Sequence, residues 1–495
     1  MAAVKHWMAD QVVYEIFPDR FAIGQSYVSE TKLQLPAYHR AVDYVRRGWD
    51  ELPVNPSWGK DFFGGDLLGI VDHLDHLQEL GATSIFLTPI FYAPSNHKYD
   101  ATDFFTVDEQ FGGEQGLGEL VRRAHKDGIR LILDAALNHA SDIHPWFLAA
   151  KKGEEPYRNF FTFEPDGRYR CWRDFRQMPE MNLSDRGLQD ILYRNGDSVL
   201  QKYLALKVDG WRFDAATDLG LQVAESLRRE LCGSFTDAAL IGEVSNFGGD
   251  WVKGDRHFHG LMNYYFRGAV LSWLRGKISA RQVNLAAEEY YRGYGDSGAA
   301  CSWNILSSHD TPRLKHMLPE PASRKLAIVA QFTLPGVPLI YYGEEIGMDG
   351  GPDPDCRRPM VWDREKWNMD TFALYKRLVA IRRSCPELRR GKLLVLGHKL
   401  DSNALVFVRH TDVPKEASLV VINSARDRLK ERLFLPYSHF YDGLPMRNLL
   451  APDEPVVHMG QGFIDLDVPE QCAAILVPAD DQYREYKFFK ERILP

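Results

Sequence analysis

Cysteine is scarce in this chain, and its placement argues against two common kinds of stabilisation. Six cysteines are spread over 495 residues, from Cys171 to Cys472, and no two of them form a C-x-x-C pair. Cysteines scattered in this way make a poor disulfide framework and a poor zinc site. The composition therefore favours a reduced compartment, and we predict a cytoplasmic protein.

Long apolar runs and blocks of positive charge are also missing. No stretch of about 18 apolar residues occurs, and the start of the chain, MAAVKHWMADQVVYEIF, has no apolar segment of signal-peptide length. The formal net charge is −8, with 60 Lys and Arg against 68 Asp and Glu. We therefore predict neither a membrane span nor a nucleic-acid partner.

The chain does contain a repeated unit, in which an amphipathic helical stretch, a glycine and a short apolar run follow one another. Apolar runs that alternate with helices are typical of a parallel sheet covered on both faces. The eight candidate strands lie in QVVYEIFPD, ATSIFLTPI, IRLILDAAL, VDGWRFDAA, AALIGEV, FHGLMNY, CSWNILSSHD and GVPLIYYGEE. Eight units favour a closed (β/α)8 TIM barrel over an open doubly wound sheet. No G-x-G-x-x-G follows the first strand, which argues against a dinucleotide-binding fold.

Two helices of the repeat illustrate the pattern. In LLGIVDHLDHLQELG, residues 67–81, the apolar side chains recur at helical spacing and Gly81 is placed to cap the helix. The stretch from Leu188 to Lys207 predicts one helix that leads into the fourth strand.

Two segments depart from the repeat and predict the domain organisation. After the third strand, EEPYRNFFTFEPDGRYRCWRDFRQMPEMNLSD is rich in aromatic, charged and turn residues and predicts a small inserted domain. From Gly391 onward, strand-like runs separated by turns predict a C-terminal antiparallel β-sandwich. We therefore divide the chain into a barrel of residues 1–138 and 186–390, an inserted domain of residues 139–185, and a C-terminal domain of residues 391–495.

Polar residues at the ends of the predicted strands are the candidates for chemistry, because active sites of such barrels lie at the carboxyl ends of the strands. A single polar residue after a strand is commonly a helix cap. Here five strand ends supply such residues together: NHKYD at 96–100, Asp134 with Asn138 and His139, Arg212 with Asp214, Glu243, and His309 with Asp310. Helix caps alone explain this convergence poorly.

Arg212 and Asp214 stand two residues apart in GWRFDAA, so on a strand their side chains share one face. We expect Arg212 to lie beside Asp214 and to favour its ionised form. A purely structural buried ion pair is the alternative, although it leaves Glu243 and Asp310 unexplained.

The motifs DAALNH, GWRFDAA, GEV and LSSHD resemble, in this order, the four short sequence regions of the α-amylase family of glycoside hydrolases. MPEMN at 178–182 is similar to an additional region of the neopullulanase, cyclomaltodextrinase and maltogenic amylase branch. YEIFPDRFA, FFGGDLLGI, NHKYDATDFF and DPDCRRPMVWD also resemble that branch. In SSHDT and DPDCRR the chain looks similar to short debranching-type amylases from cyanobacteria.

The resemblance implies a role for each candidate. Asp214 matches the nucleophile, Glu243 the general acid/base, and Asp310 the third carboxylate, which holds sugar hydroxyls. The remaining matched residues would bind substrate: His97, Tyr99, His139, Arg212, His309, Asp353 and Arg357.

The chain departs from the family pattern at several positions. Its first strand begins near residue 11, so we expect no N-terminal β-sandwich, and a monomer or a non-swapped homodimer. FAIGQSYVSE lacks the acidic and amide ligands of the calcium loop seen in some relatives, which leaves Asp66 as the one matching carboxylate. We expect no required cofactor and no metal; calcium is possible but not expected. Ser308 and Ser245 replace residues that are Asn and Trp in many relatives, and Ser245 would alter the acceptor side of the site.

The sequence thus predicts a retaining hydrolase of α-1,4-glucosidic bonds in maltooligosaccharides, cyclodextrins, pullulan or starch. A transglycosylase or a debranching enzyme for α-1,6 bonds is the alternative within enzymes, since the same carboxylates serve both. A non-catalytic binding subunit is a remote alternative, because the three carboxylates are all present.

Overall fold

A computed structural model describes residues 6–24, 44–54, 59–397, 404–435 and 437–479. Parts of the predicted barrel and of the predicted C-terminal domain therefore lie outside the described residues, among them residues 25–30 of FAIGQSYVSE and residues 480–495. The boundaries proposed above for the domains stay predictions.

A closed barrel of parallel strands forms the centre of the described structure and confirms the predicted TIM barrel. Each predicted apolar run contributes one strand. In chain order the strands are β1 (Val13–Ile16), β2 (Ser84–Leu87), β3 (Arg130–Ala135), β4 (Gly210–Phe213), β5 (Ala239–Val244), β6 (Gly260–Asn263), β7 (Trp303–Ile305) and β8 (Val337–Tyr341). Neighbours in the barrel are neighbours in the sequence, and β1 closes it by pairing with both β2 and β8.

Inward-facing side chains fill the barrel below its carboxyl end. Phe86, Ile132, Ile241, Met262 and Trp303 are among the buried residues of one interior cluster. Met8 and Ala9, from a turn that precedes β1, join the same cluster and close the opposite end. Because the interior is packed, a ligand has access only at the mouth, where the strands end.

Helices cover the outside of the barrel. In the described residues the α-helices are Pro18–Phe21, Leu67–Asp72, Leu74–Leu80, Gly113–Lys126, Pro145–Lys151, Arg186–Gln189, Val199–Ala205, Ala216–Leu219, Leu221–Ser234, Gly249–Val252, Tyr264–Leu274, Ala280–Cys301, Leu314–Met317, Pro321–Thr333, Met369–Ser384 and Pro386–Arg390. Short 3₁₀ turns span Trp7–Asp10, Glu109–Phe111, Tyr157–Phe160, Trp172–Asp174, Lys253–Asp255, Asp355–Arg357 and Arg364–Lys366.

The predicted single helix from Leu188 to Lys207 was wrong. The structure has a short α-helix at Arg186–Gln189, a π turn at Asp190–Arg194 and a separate helix at Val199–Ala205. The intervening sequence Asn-Gly-Asp-Ser, residues 195–198, consists of residues that favour turns and helix N-termini over helix interiors. The break was thus present in the sequence, although the apolar periodicity on both sides concealed it.

The segment after β3 has little regular structure, as its composition predicts. It contains Pro145–Lys151, short 3₁₀ turns and isolated bridges, one of which pairs His139 with Glu180. Two small two-stranded sheets lie in the segments that follow β1 and β2. Val45–Arg46 pairs with Asp61–Phe62, and Phe91–Tyr92 pairs with Asp103–Val107.

The C-terminal strands form two antiparallel sheets around a second core, which confirms the predicted β-domain. They are β9 (Lys392–Val395), β10 (Ala404–His410), β11 (Ala417–Asn423), β12 (Leu429–Phe434), β13 (Pro445–Asn448), β14 (Val457–His458), β15 (Phe463–Val468) and β16 (Cys472–Pro478). Among the described residues the larger sheet has the order β9-β10-β11-β16-β13-β14, and β12 pairs with β15. The runs KLLVLG, ALVFVRH, SLVVINS, FIDLDV and AAILVPA predicted β9, β10, β11, β15 and β16, whereas β12, β13 and β14 were missed.

Within the described residues, no helix is both long and apolar enough to cross a bilayer.

Candidate active site

Three carboxylates meet at the mouth of the barrel. Asp214 directly follows β4, Glu243 lies near the end of β5, and Asp310 follows β7. Their side chains are 11%, 18% and 39% exposed, respectively. The fold therefore brings the three predicted carboxylates together at the partly accessible mouth of the barrel.

Arg212 links Asp214 and Glu243 to a further carboxylate, Asp134, which lies deeper in the barrel. Its side chain is fully buried, and Nη1 donates to both carboxylate oxygens of Asp134 at 2.9 and 2.8 Å. Nη1 also donates to Asp214 Oδ1 at 2.9 Å, and Nη2 is 2.9 Å from Glu243 Oε2. One guanidinium therefore balances three carboxylates.

Arg212 lies beside Asp214 and acts to lower its pKa, as the sequence predicts, but it does not outweigh burial. Burial raises the pKa of Asp214 well above its ordinary value; Arg212 opposes this, while the nearby carboxylates of Glu243 and Asp134 add to it. Asp134 is itself buried, and its pKa is raised to about 6 despite the contact with Arg212. The ion pair of Arg212 with Asp214 is therefore part of the candidate active site and not an alternative to it.

Glu243 is held by a backbone donor from the turn after β4. The Ala215 N–H donates to Glu243 Oε2 at 2.9 Å, and the Tyr264 hydroxyl is 3.5 Å from Oε1. Ala215 has φ 43° and ψ 45°, a left-handed conformation that residues with a Cβ rarely adopt. This strained turn aims the N–H at the second carboxylate, and strain of this kind is concentrated at functional sites.

Asp310 lies between two cations. His309 Nε2 is 3.1 Å from Asp310 Oδ2, and Arg357 Nη2 donates to Oδ1 at 3.1 Å. Burial alone would raise the pKa of Asp310, but His309 and Arg357 lower it below its ordinary value. Asp310 is therefore held in its charged form by two cations.

His309 is packed under Tyr99 inside the mouth. The two rings are stacked with centroids 5.6 Å apart, and the Tyr99 hydroxyl is 2.7 Å from His309 Nε2. The same hydroxyl donates to Asp134 Oδ2 at 2.8 Å. Burial lowers the pKa of His309, but the carboxylates of Asp310 and Glu15 outweigh burial and raise it to about 10.

The other predicted binding residues lie around these groups. Asp353 pairs with Arg357 Nη1 at 3.1 Å, and its side chain is half exposed. His97 Nδ1 contacts Ser95 Oγ at 3.0 Å; burial, together with Arg357 and Lys98, lowers the pKa of His97 to about 3.

His139 is almost fully buried, and among the described residues neither of its ring nitrogens is paired at hydrogen-bonding geometry. Its ring lies 5.5 Å from that of Trp172 in the inserted segment. Burial lowers the pKa of His139 to about 4, so it is a neutral ring with free donor and acceptor positions.

The sequence analysis missed Glu15 and Tyr264, which also contact the site. Glu15 stands inside the first apolar run rather than at its end, where polar residues were sought. The alternation of β1 was the available signal, since Val13 and Glu15 share the inward face of that strand.

Asp66, the one carboxylate that remained from the calcium loop, has a structural role. It caps the helix Leu67–Asp72 by accepting from the Gly69 N–H at 2.7 Å, and it accepts from the Gly24 N–H at 3.0 Å. Within the part of the chain that the structure describes, no group of three or more His, Cys, Asp or Glu side chains is arranged to hold a metal ion. The expectation about calcium stays a prediction.

Comparison with known proteins assigns the chain to a family. Residues 15–373 match the model described as alpha amylase, catalytic domain. The chain belongs to the α-amylase family. Members similar to it include a cyclomaltodextrinase from a Bacillus species, with 35% identity over 430 residues, which covers 84% of this chain and 73% of that protein.

Two further comparisons support the branch that the motifs predicted. Neopullulanase 2 from Thermoactinomyces vulgaris is 33% identical over 489 residues, which is 95% of this chain and 78% of that enzyme. Among solved structures, a debranching enzyme from Nostoc punctiforme superposes with a TM-score of 0.81 at 27% identity and covers 96% of this chain and 100% of its own. This α-amylase family member therefore resembles both groups named in the sequence analysis.

Proposed function

We propose that this α-amylase family member hydrolyses α-1,4-glucosidic bonds of maltooligosaccharides, cyclodextrins, pullulan or starch with retention of configuration. Asp214 is the nucleophile and Glu243 is the general acid/base. The proposal is supported by the family match, by relatives that are named for action on cyclodextrins and pullulan, and by the three carboxylates at the mouth.

The observation that carries the proposal is the shared contact with Arg212. Asp214 Oδ1 and Glu243 Oε2 each lie 2.9 Å from nitrogens of the same guanidinium. Retaining glycosidases place their two carboxyl groups about 5–5.5 Å apart, whereas inverting enzymes leave room for a water between them. One guanidinium that holds both oxygens keeps the two carboxyl groups close together, as the retaining mechanism requires.

The two steps follow from these positions. Asp214 attacks the anomeric carbon while Glu243 gives its proton to the departing glycosidic oxygen, and the bond between that carbon and oxygen breaks. Glu243, now ionised, takes a proton from water, the water oxygen attacks the anomeric carbon, and Asp214 is released. A proton on Glu243 before the first step removes one of the charges that raise the pKa of Asp214, so protonating one group helps to ionise the other.

The remaining residues have binding roles in this proposal. Asp310 and His309 hold the hydroxyls of the sugar at the point of cleavage, Tyr99 stacks on it, and His139 offers the free ring nitrogens described above. His97 lies beside Tyr99, and Asp353 with Arg357 contacts the next sugar outward.

Substitution of the acid/base tests the assignment. Glu243→Gln keeps the size of the side chain but cannot donate a carboxyl proton, so kcat on a maltooligosaccharide should fall by about 10²–10⁴-fold or more. Asp214→Asn should abolish formation of the covalent intermediate. Glu230→Gln, on the outer helix Leu221–Ser234, is the matched control and should keep full activity.

Activity of Glu243→Gln close to that of the wild type would refute the assignment. Retention is checked separately by proton NMR of the first products, which should have the α configuration.

Product analysis on β-cyclodextrin, pullulan, soluble starch and maltooctaose separates the substrate classes. Panose from pullulan supports action of the neopullulanase type, and preference for β-cyclodextrin supports action of the cyclomaltodextrinase type. Longer products from maltooctaose would indicate a transglycosylase. Cleavage confined to branch points would replace the proposed α-1,4 specificity with α-1,6 specificity.

We also propose that the enzyme needs no cofactor, that it is cytoplasmic, and that it is a monomer or a non-swapped dimer. The scattered cysteines support the location. Activity after dialysis against a chelator, and light scattering during size-exclusion chromatography, test the other two points.

A further inference from the structure

Glu15 is a charged residue in a place where charge is costly. It lies on β1 and points into the barrel, its side chain is fully buried, and Oε2 has no hydrogen-bond partner among the described residues. Oε1 accepts from the backbone N–H of His309 at 3.2 Å and is 2.5 Å from His309 Nδ1. A buried carboxylate persists when it is paired, and the partner here is His309.

The hydrogen bonds around His309 define its protonation state. Arg212 donates to both oxygens of Asp134, so Asp134 is an acceptor. The Tyr99 hydroxyl gives its single proton to Asp134, so it can only accept from His309 Nε2. The one Nε2–H is therefore shared between the Tyr99 oxygen at 2.7 Å and Asp310 Oδ2 at 3.1 Å. Nδ1 faces the carboxylate of Glu15, so both ring nitrogens of His309 must carry protons.

We propose that Glu15 is a positioning residue that keeps His309 doubly protonated, so that Nε2–H stays directed at Asp310 and holds this carboxylate for the sugar. A neutral imidazole that kept its proton on Nδ1 would turn a lone pair toward Asp310, 3.1 Å away. The contact would become repulsive, and Asp310 would lose one of its two cations.

His309 has other charged and titratable neighbours, and they do not replace Glu15. Its surroundings comprise Tyr99 from the loop after β2, Asp134 on β3 behind Tyr99, Asp310 beside it, and Cys356 and Arg357 from the loop after β8. Arg357 and Cys356 contact the backbone carbonyl of His309 rather than its ring. Glu15 is thus the buried carboxylate that contacts Nδ1, and Asp310 is the carboxylate that Nε2–H holds.

The test is the pH dependence of Glu15→Gln on α-maltotriosyl fluoride. Fluoride leaves with little help from an acid, so protonation of Glu243 contributes little to the profile and the basic limb reports on His309. Wild-type kcat/KM should stay level up to about pH 8, because the pKa of His309 is about 10. In Glu15→Gln, Asp310 remains beside the ring, but burial is opposed by one carboxylate instead of two, so the basic limb should move to lower pH than in the wild type. Above that limb kcat/KM should fall about tenfold per pH unit.

Glu345→Gln is the matched control. Glu345 is another fully buried glutamate paired with a histidine, since Oε1 is 2.9 Å from His76 Nε2, but it contacts Tyr14 on the outer face of β1. It should lower thermal stability and leave the pH profile of the wild type intact. A Glu15→Gln profile parallel to that of the wild type, even at a lower rate, would overturn the proposal and leave Glu15 a structural role alone.

A second comparison covers the case in which Glu15→Gln does not fold. Glu15→Gln/His309→Gln leaves no imidazolium to balance, so its kcat/KM should equal that of His309→Gln at every pH. A further loss from the Glu15 substitution in that background would contradict the proposal. The inference rests on the proposed hydrolase, but its failure is distinct: an active Asp214→Asn refutes the hydrolase, whereas an unshifted Glu15→Gln profile refutes only the positioning role.

Discussion

Asp134 takes up part of the positive charge of Arg212 that would otherwise favour an ionised Asp214. In Asp134→Asn one of the carboxylates that raise the pKa of Asp214 is gone, and Arg212 has one fewer anion to balance. The pKa of Asp214 should therefore fall, and since the nucleophile reacts when ionised, the acid limb of kcat/KM should move to lower pH by about one unit. The measurement is kcat/KM on a maltooligosaccharide between pH 4 and 7.

Asp209→Asn is the control for this residue. Asp209 precedes β4 at the far end of the barrel, where it pairs with Arg130 and His125. Its loss should leave the acid limb where it is in the wild type. An acid limb of Asp134→Asn that stays in place, or moves to higher pH, would contradict the charge-sharing explanation.

At the residue scale, the sequence predicts contacts within one strand better than contacts between strands. Arg212 and Asp214 meet because side chains two apart on a strand share a face, and this prediction was confirmed. Asp134 pairs with Arg212 because β3 and β4 are neighbours in register, Asp134 beside Arg212, which no local pattern specifies. The effect of Arg212 on the pKa of Asp214 was predicted in the right direction, but burial, with Glu243 and Asp134 adding to it, raises that pKa overall, and these influences come from other strands.

Helix ends provide a prediction at the scale of elements. Gly81 ends the helix Leu74–Leu80 with φ 85°, and a Cβ there would lie 2.8 Å from Val379 Cγ1. Gly81→Ala should therefore cost about 1–2 kcal/mol for the left-handed backbone, before the contact with Val379 is counted. Gly118→Ala, in the exposed middle of Gly113–Lys126 with open space around it, should gain about 1 kcal/mol.

Thermal unfolding followed by circular dichroism compares the two variants directly. The midpoint of Gly81→Ala should lie below that of the wild type, and the midpoint of Gly118→Ala above it. The same shift for both would show that these glycines differ less than their backbone angles indicate.

At this scale the sequence is informative wherever a pattern is local and strong. The apolar runs of the barrel strands and Gly81 were predicted, because burial on both faces and a left-handed cap each leave a plain signal. β12 was missed because LKERLF at Leu429–Phe434 has three charged residues in a row and so lacks the alternation that marks a half-buried strand. It becomes a strand through its pairing with β15. Tertiary contacts decide such segments.

At the scale of the whole molecule, the catalytic groups and a buried histidine that affects stability lie at opposite ends of the barrel. The catalytic groups lie at the mouth, whereas His6 lies at the opposite end, stacked on His259 with ring centroids 3.8 Å apart. Burial, followed by the charge of Arg228, lowers the pKa of His6 from 6.5 to about 4. Acid should therefore affect stability and catalysis through different residues.

His6→Asn tests this separation. Asn can still cap the turn Trp7–Asp10, where His6 Nδ1 accepts from the Met8 N–H, but it does not titrate. An unfolded chain takes up a proton on His6 near pH 6.5, and the folded chain resists it until about pH 4, so the stability of the wild type is lost as pH falls through this window. Relative to His6→Asn, the wild type should lose up to about 3 kcal/mol between pH 6.5 and 4, measured by urea unfolding at several pH values. The pH profile of kcat/KM should be the same in both proteins. A stability difference that does not change with pH would show that His6 is not the group that titrates. A shifted rate profile would show that the two ends of the barrel are coupled.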